Sequence, residues 1–392
     1  MKNYIKGLDT LRAFAVMFVI IYHWGLPVPN GPAKHFLQEL IPSGPFGVTL
    51  FFVLSGFLIT SILLAARTTA ETKLRVIRNF MIRRSLRIFP IYYLTILVLA
   101  WIGYPFIREN LGWFLSYTSN ILVFRNHSWN SFSHTWSLSV EEQFYLIWPW
   151  CIVFVAEKYL KYIFIAALLI GVMAIVFFSK IRPDTWGLLL TPACLASFGI
   201  GGFYAWASRE SWSRERFMRV ITPLMPLAIG LHLYWSFSAD GGHFNYLSRI
   251  VDSIIAIWLI HKTVTIRSGW IKTKILENST LNKVGQISYG IYLYHYPTPW
   301  LYSRMVADHF SGNPATQAFF ANFYISWFLM LAFVLALSLT SFYLLELPIV
   351  NLKKWFDYTR LAPQKPEVVP VGLPVNGMRP LNEIQPSFDL QT

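Results

Sequence analysis

Residues 8–24 read LDTLRAFAVMFVIIYHW, an apolar stretch with Arg12 near one end and His23 near the other. Eleven steps along an α-helix turn about 1100°, within roughly 20° of three full turns, so both side chains leave the same face about 16 Å apart along the axis. In a helix that spans a bilayer, Arg12 then lies near one surface and His23 deeper toward the other. Ionisable groups in such a helix are costly and mark functional positions by default. The alternative is an arginine that snorkels to lipid headgroups and an interfacial histidine. The helix alone does not separate the two.

The rest of the chain is of the same kind. Its 392 residues are 55% hydrophobic, 17% aromatic and only 13% charged, which excludes an ordinary soluble protein. Apolar runs near 8–26, 45–66, 88–106, 138–156, 160–179, 186–207, 220–238, 247–266, 284–303 and 320–346 predict an all-α, polytopic transmembrane helical bundle of about ten spans. With the N-terminus inside, most Lys and Arg fall in inner segments, so both termini are expected in the cytoplasm. The 33 basic against 19 acidic residues then set topology and meet anionic headgroups or an anionic ligand, rather than nucleic acid. The first run lacks a small-residue cleavage site and carries Arg12, so it reads as a retained span and not a signal peptide. Cys151 and Cys194 have no metal-ligand spacing and imply no disulfide framework. Residues 1–350 are expected to form one transmembrane domain. Residues 351–392, rich in proline from about 357 on, are expected to form a flexible cytoplasmic tail.

Histidines follow the opposite rule to the cations: His23, His35, His127, His134, His243, His295 and His309 fall on the outer side, His261 on the inner, with His232 ambiguous. In the second run, FFVLSGFLIT at 51–60, Ser55 and Gly56, with Gly47 before them, either let helices approach closely or loosen the helix around a cavity. Residues 75–94, RVIRNFMIRRSLRIFPIYYL, place Arg84 and Arg87 three apart on one helical face, which Arg83 shares with Arg87. Guanidinium forks match phosphate oxygens, so these three are candidates for a diphosphate-bearing ligand, although a basic inner loop is what topology demands anyway.

Residues 133–150, SHTWSLSVEEQFYLIWPW, form the densest polar cluster. Ser137 and Glu141 share a helical face; Glu142 points about 100° away from Glu141. His134, Trp136 and Tyr145 surround them with the stacking and hydrogen-bonding groups that a sugar-like acceptor needs. Residues 287–297, ISYGIYLYHYP, add Ser288, Tyr292 and His295, the last two facing one cavity or forming part of an interfacial aromatic belt. Glu346, at the cytoplasmic end of the last run, opposes the helix dipole and wants a cation, for which the arginine-rich stretch is the candidate. The runs between about 160 and 266 read as scaffold.

Taken in order, Arg12-x10-His23, FFVLSGFLIT, RRSLRIFPIYYL, WSLSVEEQFYLIWP, ISYGIYLYHYP and Glu346-Leu347-Pro348 resemble acyltransferase family three, the bacterial inner-membrane acyltransferases of surface polysaccharides and some secondary metabolites. The resemblance covers the whole chain and looks like the stand-alone type without a fused extracytoplasmic domain. It implies transfer of an acyl group, usually acetyl, from cytoplasmic acyl-coenzyme A (acyl-CoA) to a hydroxyl of a carbohydrate or glycoside on the far side, with no metal. By motif, His23 is the catalytic histidine and Arg12 its partner position. Arg84 and Arg87 are the paired cytoplasmic arginines, and Glu141 is the glutamate after Trp-Ser-Leu. Neither the acceptor nor the oligomeric state is implied. The expected chemistry has coenzyme A phosphates on the inner arginines, its arm along the first helix, and His23 as general base with Glu141 orienting or polarising the hydroxyl. The alternative mechanism acylates His23 itself. The alternative function is a transporter or flippase for an anionic or lipid-linked solute. No internal repeat pairs the two halves, as many transporters require.

Overall fold

In the computed structural model, which describes residues 5–69, 72–238, 246–310 and 312–356, the chain is helical and the described residues contain no strand. It opens with α1 (Lys6–Trp24), α2 (Pro32–Leu40), α3 (Gly44–Ala66) and α4 (Lys73–Trp101). The short α5 (Leu111–Leu115) and α6 (Ser119–Asn126) lead into α7 (Trp136–Phe154). Then follow α8 (Leu160–Val176), α9 (Thr191–Ala207), α10 (Ser211–Ser236) and α11 (Ser248–Thr265). The last part holds α12 (Ser279–Gln286), α13 (Ser288–Tyr294), α14 (Thr298–Phe310), α15 (Pro314–Ala321), α16 (Phe323–Ser341) and α17 (Leu347–Asn351).

Local chemistry sets these boundaries. The Ser43 hydroxyl accepts from the amide of Phe46 with Pro45 in the first turn, starting α3, and Thr72 caps α4 through the amide of Arg75. Gly25, at φ 78°, ends α1 in a conformation that side chains avoid. Pro90 does not end the basic stretch: α4 runs unbroken through it, so the arginines occupy the first half of one long helix.

Helix α3 is the hub, packed on α1, α7, α9 and α11. A methyl group on Gly56 would strike the backbone of Phe198, and one on Gly201 the backbone of Val53, so α3 and α9 touch main chain to main chain. Gly56 is therefore a packing residue. Large apolar side chains face outward on α8 (Leu169, Met173), α10 (Val220, Leu227) and α16 (Phe328, Phe333), as a lipid-facing surface requires.

Six segments are long and apolar enough to cross a membrane: Lys6–Trp24, Pro32–Ala66, Lys73–Trp101, Glu157–Ile181, Ser211–Ser236 and Phe323–Phe356. The chain is a multi-pass membrane protein. The other four expected runs are also helical but differ in character. Helix α9 is short, α7 carries Glu141, Glu142 and Gln143 beyond its first turn, and α11 carries Arg249, Asp252 and Lys262. The run expected at 284–303 is not one helix: it breaks at Ile287 and again over His295–Pro297, where proline removes an amide and disfavours helix in the residue before it. At the other end, helical packing continues past residue 350, since Arg83 donates to the carbonyls of Lys353 and Phe356. The rest of the expected tail and His243 lie outside the described residues.

Candidate active site

The last turn of α1 brings His23 to the wall of a cavity of about 360 Å³, here the histidine chamber, lined also by His134, Trp136, Tyr292 and Tyr296. His295 lies behind it, fully buried at the C-terminal end of α13. Its Nε2 stands 3.0 Å from Nδ1 of His23, and its Nδ1 2.6 Å from the carbonyl oxygen of Tyr292. A carbonyl can only accept, so His295 carries its hydrogen on Nδ1 and, as a neutral ring, presents a lone pair at Nε2. His23 must then donate from Nδ1, which leaves the lone pair of a neutral His23 on Nε2. The indole of Trp24 donates to the His295 carbonyl at 3.1 Å and fixes that stretch of main chain. His295 keeps helical backbone, its amide donating to Ile291, and the chain leaves the helix only after it.

His134 stacks on Tyr296, with centroids 4.7 Å apart and planes 11° apart, and meets His295 edge-on at 5.2 Å. It is buried, with the backbone of Leu293 as a polar neighbour of its ring.

A second cavity of about 90 Å³, the arginine chamber, is lined by Arg12, Ser55, Arg84, Arg87, Glu141 and Tyr145, among others. Arg12 donates to Asp9 at 2.9 Å, and Ser55 donates to Glu141 at 2.8 Å while accepting from Tyr145 at 3.1 Å. The guanidinium of Arg84 lies over the ring of Tyr145 at 5.4 Å. Three guanidinium groups against Glu141 and the Asp9 that pairs Arg12 leave a net positive charge, so the chamber suits an anion. Val48 and Tyr292 line both chambers. At this junction Tyr292 donates to the His134 carbonyl at 3.1 Å, and its oxygen is 2.6 Å from that of Ser137.

The expected site residues divide between the two chambers. His23, His134 and Trp136 line the first; Arg12, Arg84, Arg87, Ser137, Glu141 and Tyr145 line the second. Glu141, Ser137 and Tyr145 thus line a different cavity from the one that His23 lines. The reason is local: His134 precedes α7, whereas Ser137, Glu141 and Tyr145 lie on successive turns of one face that looks into the arginine chamber. Arg83 turns away to the carbonyls of Lys353 and Phe356 and lines neither chamber. Glu142 also lines neither, and His295 touches His23 rather than the cavity. Glu346 ends a π-helical segment, Phe342–Glu346, packed on α4, with Arg87 as its charged neighbour, the kind of partner expected for it.

Sequence reading passed over Tyr296, Trp129, Trp186, Arg249 and Asp252, all of which line the histidine chamber. Two of them carried a signal, since Arg249 and Asp252 are charges inside an apolar run.

The family model described as an acyltransferase domain matches residues 5–347. Among curated proteins, the chain is 29% identical over 336 residues to the peptidoglycan O-acetyltransferase OatA of Listeria monocytogenes, covering 76% of this chain and 49% of that one. It is 28% identical over 331 residues to the O-acetyltransferase OatA of Staphylococcus aureus, covering 75% and 50%. YrhL of Bacillus subtilis is 29% identical over 379 residues, covering 88% and 55%. The chain spans about half the length of these curated relatives. No solved structure matches it. With the family model matched over nearly its whole length and the motif residues gathered at two adjoining chambers, the chain belongs to acyltransferase family three.

Proposed function

We propose that the protein is a membrane O-acyltransferase that moves an acyl group, acetyl by analogy with its relatives, from acyl-CoA to a hydroxyl of a carbohydrate acceptor. The observation that carries this reading is the junction at Val48 and Tyr292, where a cationic chamber meets a chamber walled by an imidazole base. The arginine chamber is too small for a nucleotide, so the adenosine end of coenzyme A rests at its mouth. Phosphate oxygens meet Arg84 and Arg87, and the slender arm passes inward toward the junction. The acceptor hydroxyl lies against Nε2 of His23.

Transfer then runs in one exchange. Nε2 of His23 takes the hydroxyl proton as the acceptor oxygen attacks the thioester carbonyl. The tetrahedral intermediate collapses, the carbon–sulfur bond breaks, and the departing sulfur takes the proton from Nε2, giving acylated acceptor and free coenzyme A thiol. The imidazolium that forms transiently is stabilised through its Nδ1–H by His295, a positioning residue that does not touch substrate. Arg12 and Glu141 act on the donor side, Arg12 held by Asp9 and Glu141 by Ser55. The excess of cations in inner loops supports an arginine chamber that faces the cytoplasm of a bacterial inner membrane, with acceptor supplied from the other side.

The test is thiol release from acetyl-CoA by purified protein in lipid vesicles, with and without glycosides. Wild type releases thiol in an acceptor-dependent manner and His23→Ala does not, although it inserts and still binds coenzyme A. Full activity in His23→Ala would contradict the reading.

A further inference from the structure

The wall of the histidine chamber away from His23 belongs to none of the family motifs. Helix α11 contributes Arg249 and Asp252, one turn apart, the loop before residue 130 contributes Trp129, and the 3-10 turn Thr185–Leu189 contributes Trp186. The indoles stand 5.1 Å apart at 49°, tilted rather than stacked. The pair is braced from behind: His127 lies parallel to Trp186 at 6.2 Å, and its Nε2 is 3.1 Å from Oδ2 of Asp184, whose other oxygen accepts from the Trp186 amide at 3.0 Å. At this spacing the indoles pack on each other, and the indole surface they turn to the chamber suits the C–H face of a pyranose ring.

The charges of this wall are tied into the protein. Arg249 donates to the Leu188 carbonyl at 2.5 Å, lies 3.2 Å from Sγ of Cys194, and sits over Trp136 at 5.8 Å. Asp252 is buried, with Oδ1 2.8 Å from Nδ1 of His232. Apart from imidazoles, this one guanidinium and this one carboxylate are the ionised side chains among the described residues lining the chamber, so it has no net charge to offer a ligand. An anion brought into it loses hydration and meets a single guanidinium that is already offset by the carboxylate and tied to Leu188 and Cys194, whereas polyhydroxylated neutral surface finds acceptors and donors already in place.

We infer that the acceptor presents an uncharged sugar ring to this chamber, packed against the Trp129–Trp186 pair and read by Asp252, Arg249 and His134. The inference rests on the histidine chamber being the acceptor side. It adds a selection by charge: the donor enters a cationic chamber as an anion, and the acceptor enters a balanced one as a neutral ring.

The test uses binding, which needs no chemistry and so separates this inference from the catalytic reading. His23→Ala protein in lipid nanodiscs is titrated with a methyl glucoside and the matched methyl glucuronide, followed by saturation-transfer NMR. The neutral glycoside is expected to bind at least about tenfold more tightly. Trp186→Ala weakens both, and Asp252→Asn reduces the preference to less than about threefold. Equal or tighter binding of the glucuronide, an unchanged preference in Asp252→Asn, or binding of neither glycoside would each overturn the inference. The comparison in the His23→Ala background stands whether or not the Asp252 variant inserts. Loss of glycoside preference alongside intact thiol release would sink this inference and leave the catalytic reading untouched.

Discussion

Nε2 of His295 lies 3.0 Å from Nδ1 of His23, although the two residues are 272 positions apart. Their order in the relay is fixed by a third group, the Tyr292 carbonyl, which can only accept. Removing the acceptor for His23 Nδ1–H should let the ring turn and exchange tautomers without emptying the chamber. His295→Phe is expected to lower kcat about 10- to 100-fold with the KM for acceptor little changed. His295→Gln, whose side-chain oxygen can accept from Nδ1, should restore part of the loss. A merely structural role would instead lower protein yield and spare kcat per folded molecule. Steady-state kinetics on the three proteins separate the two.

The arginines are predicted to divide by position. Arg84→Ala and Arg87→Ala remove guanidinium groups that line the arginine chamber, so each should raise the KM for acetyl-CoA by about tenfold or more. Lysine at either position should rescue only in part, because a point charge does not reproduce the fork. Arg83→Ala should leave that KM within about twofold and lower thermal stability instead, since its guanidinium reaches the carbonyls of Lys353 and Phe356. Donor titrations and melting curves test the contrast.

Val48 sits where the two chambers meet. Val48→Trp fills that passage. Coenzyme A binding should survive while acceptor-dependent thiol release falls by about 100-fold or more. Equilibrium binding of coenzyme A and a single-turnover assay on the same preparation read the two effects apart.

The α3–α9 crossing makes a prediction about folding alone. Gly201→Val places a branched side chain against the backbone of α3 and should cost about 2–3 kcal/mol or prevent stable insertion. Thermal unfolding in detergent measures it. Gly230→Ala, in open space on α10, is the control and should be close to neutral.

Much of this architecture was legible in the sequence because membrane spans are written in composition. That Arg12 and His23 each line a cavity was legible from ionisable groups set in an apolar run, and Arg84 and Arg87 stood out as guanidinium groups three apart in a basic stretch. What could not be read was partition. Ser137 and Glu141 share a helical face by spacing, but whether that face meets acceptor or donor depends on how α7 is rotated against α3, which is set by contacts distant in sequence. The contact of His295 with His23 was hidden because it joins residues 272 positions apart, and helical spacing alone does not say which neighbour that face meets. Arg249 and Asp252 were visible as charges in an apolar run, yet that run was read as scaffold, and only the fold sets them across a chamber from α1.

The central claim is that one molecule receives its donor in the arginine chamber and its acceptor in the histidine chamber, on opposite sides of a bilayer. The direct measurement uses sealed vesicles holding the protein in a single orientation, with a neutral glycoside trapped in the lumen and radiolabelled acetyl-CoA added outside. When the arginine chamber faces outward, labelled O-acetyl glycoside is predicted to accumulate in the lumen and free thiol outside, both abolished by His23→Ala. Acetylation only when donor and acceptor share one compartment would contradict the account.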